Sequence, residues 1–348
     1  MSNLNVFDLL WNPSRIDKIN TDNPNVKKKK IPFKTLFSGQ HETLIKDFYK
    51  YIDKPDFEFL NIMKKTQGLN ELSSKILLRS NDLFENNTFS SVIVQGDTTT
   101  AYSIALSAFH NKISVIHVEA GLRTYDKYSP FPEEINRRLI SQLASIHLCP
   151  TEISFGNLHR EHIKENVYLV GNTIVDMYKY IYENTNPSTL IQNVINQYKN
   201  YIVVTLHRRE NRGKRMASMW EQLNTLSNTH KFIYVTHPSL PGSRDILNAN
   251  NITIIDPQNY ENMIHLISNS KGIITDSGGL QEEAVCACKP VLICRNTTER
   301  PETVACGLGK LVDTKIIENI CFFDKQMEYV KENPYGTNVV DKVFKCIF

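Results

Sequence analysis

The sequence predicts an α/β protein made of two Rossmann-like domains facing across a cleft. Three observations carry this. Short β-branched runs alternate with helix-length intervals along most of the chain, and the runs are almost continuously apolar, as parallel strands covered on both faces must be. The alternation restarts after residue 171, where Gly171-Asn172 closes a strand and the polar, turn-rich stretch Asn184 to Ser188 follows a little later. The length, 348 residues, is about twice that of a domain of roughly 100–200 residues.

In the first half, Phe33 to Phe37, Val92 to Gln95, Ser114 to Val118, Ile146 to Cys149 and Val167 to Val170 read as strands. Residues 99–110, 133–144 and 152–163 read as the helices between the later ones. In the second half the strands are Tyr201 to Leu206, Lys231 to Thr236, Ile252 to Ile255, Gly272 to Thr275 and Pro290 to Cys294. The expected division is a first domain over residues 1–171 and a second over 172–334, with the hinge near 171–175 and a final helix over about 335–348.

Composition narrows the function classes. Forty Lys and Arg against 37 Asp and Glu leave a formal charge of +3, too little for a protein that lives on nucleic-acid phosphates. No apolar run approaches the ~18 residues that span a bilayer, and residues 1–12 lack the features of a signal peptide, so a soluble, cytoplasmic protein without membrane partners is expected. The seven cysteines form no C-x-x-C pair and are expected to be free, buried thiols. Cys286-Ala287-Cys288 has no second pair at zinc spacing, so no metal site is expected. Lys27 to Lys30 reads as a solvated loop.

Sheets of this class bind ligands at the carboxyl ends of their strands, which is where the polar residues collect. After the strand ending at Gln95 comes Gly96-Asp97-Thr98-Thr99-Thr100, in which Asp97 reads equally as a helix N-cap or as an acid of the site. The next strand ends in Glu119-Ala120-Gly121-Leu122-Arg123-Thr124, again an acid at a carboxyl end. Pro130-Phe131-Pro132-Glu133-Glu134 then places Pro132 at a first helical turn and two carboxylates at the positive end of a helix dipole. Acids gathered at such ends suit general acid and base work.

The second half supplies the opposite charge. Its first strand runs into His207-Arg208-Arg209-Glu210-Asn211-Arg212-Gly213, a basic, glycine-ended loop suited to a diphosphate, with His207 read equally as structural or functional. Asp276-Ser277-Gly278-Gly279 enters a helix with backbone N–H groups able to approach phosphate oxygens, and Glu283 sits one turn on, at a distance suited to ribose hydroxyls. Neither G-x-G-x-x-G after the first strand nor G-x-x-x-x-G-K-[ST] is present.

Taken together, Gly96 to Thr100, His117 to Thr124, Pro130 to Arg138, His207 to Asn211 and Asp276 to Glu283 resemble the non-hydrolysing UDP-N-acetylglucosamine 2-epimerases. The likeness runs in order from about Gln40 to about Leu311 and includes Gly171-Asn172-Thr173, Asp256-Pro257-Gln258 and Thr298 to Glu302. The resemblance implies a GT-B-like fold, UDP held mainly by the second domain, a homodimer, a final helix returning to the first domain, and a UDP-sugar substrate. It implies interconversion of UDP-GlcNAc and UDP-ManNAc without NAD or another cofactor, by elimination of UDP to 2-acetamidoglucal and re-addition. On it, Asp97, Glu119 and Glu133 match the acids that handle protons, and His207 the histidine that assists the departing UDP. Gln258, Ser277, Gly278, Gly279, Glu283 and Arg300 match nucleotide-contacting positions, Arg208 lies in the same basic loop, and Met263 stands where an aromatic residue is common near the uracil.

The chain departs from that pattern near its start. The family's Gly-Thr-Arg-Pro-Glu loop is replaced by Leu10 to Lys18, in which Arg15 and Lys18 are the candidates to reach the pyrophosphate. Gln40-His41-Glu42 also lacks the Arg usual after Gln-His, the mark of a second, regulatory UDP-GlcNAc site. Three outcomes stay open on these grounds: the 2-epimerase, a hydrolysing relative or one acting on another UDP-2-acetamido sugar, and a non-catalytic UDP-sugar-binding protein.

Overall fold

A computed structural model describes residues 34–37, 57–60, 62, 67–237, 240, 246–247, 250–324 and 333–348. The Lys27 to Lys30 run, Arg15, Lys18, Gln40 and His41 lie outside these residues. The chain divides into two compact units: an N-terminal unit of residues up to Thr173 together with Val340–Phe348, and a C-terminal unit over Ile174–Val339.

The N-terminal unit holds a short parallel pair, β1 (Thr35–Phe37) with β2 (Phe57–Phe59), and a four-stranded parallel sheet. The latter comprises β3 (Ser91–Gln95), β4 (Ser114–Val118), β5 (Ile146–Cys149) and β6 (Val167–Leu169), in that spatial order. Helix α1 (Leu69–Glu85) precedes it, and α2 (Thr99–His110), α3 (Glu133–Leu143) and α4 (Glu152–Arg160) are its crossovers. Ile76 of α1, Ala105 and Ala108 of α2, Val94 of β3, Val115 of β4 and Ile140 of α3 share one core cluster; the alanines let the helix backbones approach.

Helix α4 ends earlier than the 152–163 expected from the pattern. His162 takes φ +64°, and the Ile163 N–H returns to the Leu158 carbonyl at 2.9 Å, which satisfies the last helical carbonyls and turns the chain. Likewise Ala144 is already extended, so α3 stops at Leu143. Helix α1, the three-residue strand β2 and a further three-residue strand over Gly309–Leu311 have no counterpart among the predicted elements.

The C-terminal unit is built on a six-stranded parallel sheet in the order β12-β11-β10-β7-β8-β9. Its strands are β7 (Ile202–Thr205), β8 (Phe232–Val235), β9 (Ile252–Ile255), β10 (Gly272–Thr275), β11 (Val291–Ile293) and β12 (Gly309–Leu311). Helices α5 (Ile174–Asn184), α6 (Thr189–Gln197), α7 (Lys214–Leu226), α8 (Tyr260–Ser268), α9 (Gly278–Cys286) and α10 (Pro301–Ala305) accompany it. The chain ends in α11 (Val339–Ile347). Every residue of β7, β8, β10 and β11 is buried, and alternate residues enter two separate apolar clusters, such as Val203 and Ile273 in one and Val204 and Ile274 in the other. This two-sided burial is why the strands read as continuous apolar runs. All seven cysteines are free thiols, as expected, but only Cys149 and Cys294 are buried; Cys286, Cys306 and Cys346 are half-buried and Cys288 and Cys321 exposed, against the expectation of buried thiols. Among the described residues no helix is long and apolar enough to cross a membrane.

Candidate functional site

In the N-terminal unit the expected acids collect where β3 and β4 end. The Gly96 N–H bonds the Val118 carbonyl at 3.0 Å, which carries the pairing one step past the strands. Glu119 follows at φ +63°, a left-handed conformation costly for a side chain of its kind and characteristic of functional turns. Its Oε2 lies 3.5 Å from where a Cβ on Gly96 would stand. Glu119 and Glu133 are both half-buried, and Glu133 is the first residue of α3, with Pro132 just outside the helix as its N-cap residue.

Asp97 is not the helix cap. Thr98 occupies the cap position and its hydroxyl accepts the Ala101 N–H at 3.1 Å, which releases the neighbouring carboxylate for another partner. That partner is Arg137 of α3, whose Nε and Nη2 both donate to Asp97 Oδ2. Asn136 Nδ2 adds a bond to the Asp97 carbonyl at 2.9 Å. Glu134, fully buried, is likewise no simple dipole partner: it accepts the backbone N–H groups of Thr124 and Tyr125, each at 3.0 Å, and Arg137 Nη1 at 3.0 Å. Arg123 is a structural cation, held by both oxygens of Glu161 at 2.7 and 2.8 Å. Partial burial works to raise the Glu161 carboxyl, but Arg123, Arg138 and Arg160 outweigh it and leave it below its ordinary value.

In the C-terminal unit the loops after β7 and β10 are tied by one buried carboxylate. Asp276 accepts the backbone N–H groups of His207 (3.0 Å) and Arg208 (2.9 Å) and the Asn211 side chain (2.9 Å). Burial pushes this carboxyl above its ordinary range even so. The His207 ring stacks on His237 with centroids 4.4 Å apart, and its Nδ1 lies 3.5 Å from Asp276. Burial pushes the imidazole down to about 2, so it is neutral near pH 7. Burial, followed by the nearby Arg295 charge, holds Arg208 below its usual value.

The turn after Asp276 has the features of an anion cradle. Ser277 is the N-cap residue of α9, yet its hydroxyl makes no capping bond; it is 2 % exposed and has no hydrogen-bond partner among the described residues. A buried hydroxyl left unpaired at a helix N-terminus is an unmet donor at a place that favours negative charge. A Cβ on Gly278 would stand 2.8 Å from Arg300 Nη1 and 3.0 Å from Glu299 Oε1, so any larger residue there has to displace the ends of that ion pair. Gly279 continues the turn into α9. Burial raises the Glu283 carboxyl to about 7 against an opposing hydrogen bond from Tyr260.

Several expected contacts have other occupations here. Arg300 is buried between Glu282 (2.7 Å) and Glu299 (2.5 Å), and Glu299 also holds Arg295 at 2.8 Å, so its charge is compensated within the fold. Gln258 bends onto its own loop, bonding the Asp256 carbonyl and Asn262. Met263 is 1 % exposed within an apolar cluster that includes Leu266 and Leu280, so its side chain packs in the core. Arg137 and Asp276 carry much of the geometry without having been assigned a role from sequence, and Glu134 was read there only as a partner of the helix dipole. The i,i+3 spacing of Glu134 and Arg137 on one helix was the available signal for that pair.

A family model described as UDP-N-acetylglucosamine 2-epimerase matches residues 25–345. The chain belongs to that family. A UDP-N-acetylglucosamine 2-epimerase of Campylobacter jejuni is 40 % identical over 333 residues, covering 88 % of this chain and 87 % of the relative. One from Neisseria meningitidis is 38 % identical over 341 residues, with 91 % of each chain covered. Among solved structures, a Neisseria meningitidis UDP-GlcNAc 2-epimerase bound to UDP-GlcNAc superposes with TM-score 0.83 at 35 % identity, covering 96 % of this chain and 94 % of that one. The Methanocaldococcus jannaschii enzyme, in complex with UDP-GlcNAc and UDP, gives 0.80 at 32 % identity with 92 % of each chain covered. These solved epimerases therefore share the α/β fold of this chain over almost its full length.

Proposed function

We propose that the protein is a non-hydrolysing UDP-N-acetylglucosamine 2-epimerase that interconverts UDP-GlcNAc and UDP-ManNAc. The observation that carries this reading is the acid set of the N-terminal unit: Asp97 and Glu119 beside Gly96, and Glu133 opening the helix whose Asn136 and Arg137 bond Asp97. Proton removal at a sugar carbon needs carboxylates held at such a place, whereas a binding protein has no use for them. Relatives solved with UDP-GlcNAc support the substrate class, and the unpaired Ser277 hydroxyl at the α9 N-terminus supports a diphosphate.

In the forward direction a carboxylate of this set takes the C2 proton. The C–H pair becomes the C1=C2 bond of 2-acetamidoglucal, and the C1–O bond breaks with its electrons leaving on UDP. The α9 N-terminus and Arg208 stabilise the departing diphosphate. His207 arrives neutral; the negative charge of the diphosphate favours a proton on its ring, and Asp276 beside Nδ1 stabilises that charge. For return, a second carboxyl delivers a proton to the opposite face of C2 and the UDP oxygen re-forms the bond at C1. Arg15 and Lys18 are the candidate cations on the pyrophosphate from the N-terminal segment.

Proton NMR with UDP-GlcNAc in D2O tests the reading. Deuterium at C2 together with UDP-ManNAc is the expected result. Exchange with release of free ManNAc identifies a hydrolysing enzyme, and UDP binding with no exchange identifies a non-catalytic relative.

A further inference from the structure

We infer that Arg137 is the positioning residue of the proton-handling acids, an inference that rests on the epimerase reading. Two elements that bear those acids meet at its guanidinium. Nε and Nη2 take Asp97 after β3, and Nη1 takes Glu134, whose two oxygens hold the Thr124 and Tyr125 N–H groups at the end of the loop that Glu119 begins. Arg137 also lies one helical turn from Glu133 on α3. Asp97, Glu134 and Arg137 are all buried, at 6 %, 0 % and 2 % exposure, so this circuit is dry and its geometry is set by a planar, forked donor.

A structural ion pair would not need to be wired this way. The Arg137 fork spends two donors on the one carboxylate oxygen Oδ2 and another on Glu134, the clamp of the loop that Glu119 begins, so the Asp97 loop and the Glu119 loop are both tied to the helix that Glu133 opens. The Asn136 bond to the Asp97 carbonyl fixes the same loop from the same helix. Misplacement of reacting groups by about 1 Å is enough for losses of ~100-fold. Removal of Arg137 is therefore expected to act on turnover while UDP, assigned in the proposed function to the C-terminal unit with Arg15 and Lys18 and to no group of the loops that Arg137 ties, keeps its affinity.

The experiment compares wild type with Arg137→Met and Arg137→Lys, reading C2 exchange in D2O, kcat and KM for UDP-GlcNAc, UDP affinity by calorimetry and Tm. Arg137→Met is expected to lose kcat about 100-fold with the UDP Kd within about threefold of wild type, and Arg137→Lys, which keeps the charge without the fork, to recover about tenfold of that loss. An active wild type whose Arg137→Met keeps kcat within threefold overturns the inference alone. So does a variant that loses kcat and UDP affinity in parallel, or one whose kcat loss Lys does not relieve at all. Where Arg137→Met fails to fold, Arg137→Lys alone decides, by a kcat loss of about tenfold with unchanged UDP Kd or its absence. An inert wild type overturns the epimerase reading and this inference with it.

Discussion

Replacing His147 with leucine should remove part of the acid sensitivity of the N-terminal unit. His147 and His117 are in register on neighbouring parallel strands, both buried, and the Nδ1 of each has no hydrogen-bond partner among the described residues. Burial, aided by the Arg123 charge, holds His147 down to about 4, and burial is also the main reason that His117 sits at about 3. An unfolded histidine takes its proton near 6.5. The folded value lies below the unfolded one, so the stability tied to His147 is complete above about 6.5 and is lost as pH falls from there towards 4. Inside that window one such histidine weakens folding about tenfold per pH unit, which at pH 5 amounts to roughly 30-fold, or about 2 kcal/mol. Leucine has a related volume, cannot titrate and removes a ring nitrogen that finds no partner. The assay is urea unfolding of wild type and His147→Leu at pH 7.5, 6 and 5, with hydrogen exchange at the β4 and β5 amides reporting on this unit. The variant should match wild type to within about 1 kcal/mol at pH 7.5 and exceed it by about 2 kcal/mol at pH 5. Parallel pH curves for the two proteins would refute the argument, because they would mean that folded His147 is protonated as readily as the unfolded residue.

Ser277→Ala should weaken UDP binding about three- to tenfold in calorimetry, the worth of one hydroxyl contact, and leave Tm almost unchanged because the hydroxyl bonds none of the described residues. Glu161→Ala should cost about 2–3 kcal/mol in chemical denaturation, since it removes the counter-charge of the buried Arg123 guanidinium and leaves it only the neutral acceptors Leu122 carbonyl and Ser141 hydroxyl; equal stability would show that those acceptors suffice.

The legible part of this protein is what a short stretch of chain decides for itself. Ser114 to Val118, Ile146 to Cys149 and Gly272 to Thr275 stand in the structure with the bounds read from their apolar runs, and α2 with the bounds read from its period. The misses also have local causes. Helix α1 opens on Gly68, which supplies no side-chain cap, and it exposes Leu69 and Leu78, so its amphipathic signal is blurred. Strands β2 and β12, three residues each, are too short to show a period.

For the candidate site, sequence marked positions and the fold assigned partners. Acids and glycines just past strand ends are visible because ligands gather at the carboxyl ends of parallel strands, so Asp97, Glu119, Ser277 and Gly278 stood out. What each does next depends on side chains far away in the chain. Asp97 meets Arg137 across 40 residues, Asp276 meets His207 across 69, and Arg123 meets Glu161 across 38. Conversely, Met263 and Arg300, placed at the nucleotide by resemblance, have side chains occupied by an apolar core and by two carboxylates. The sequence by itself determined the element types, the parallel α/β class and the family, since backbone propensity and apolar period are properties of neighbouring residues. Only the tertiary structure decided which buried charge answers which, because in a low-dielectric interior that choice is made by proximity in space, which separation along the chain does not encode.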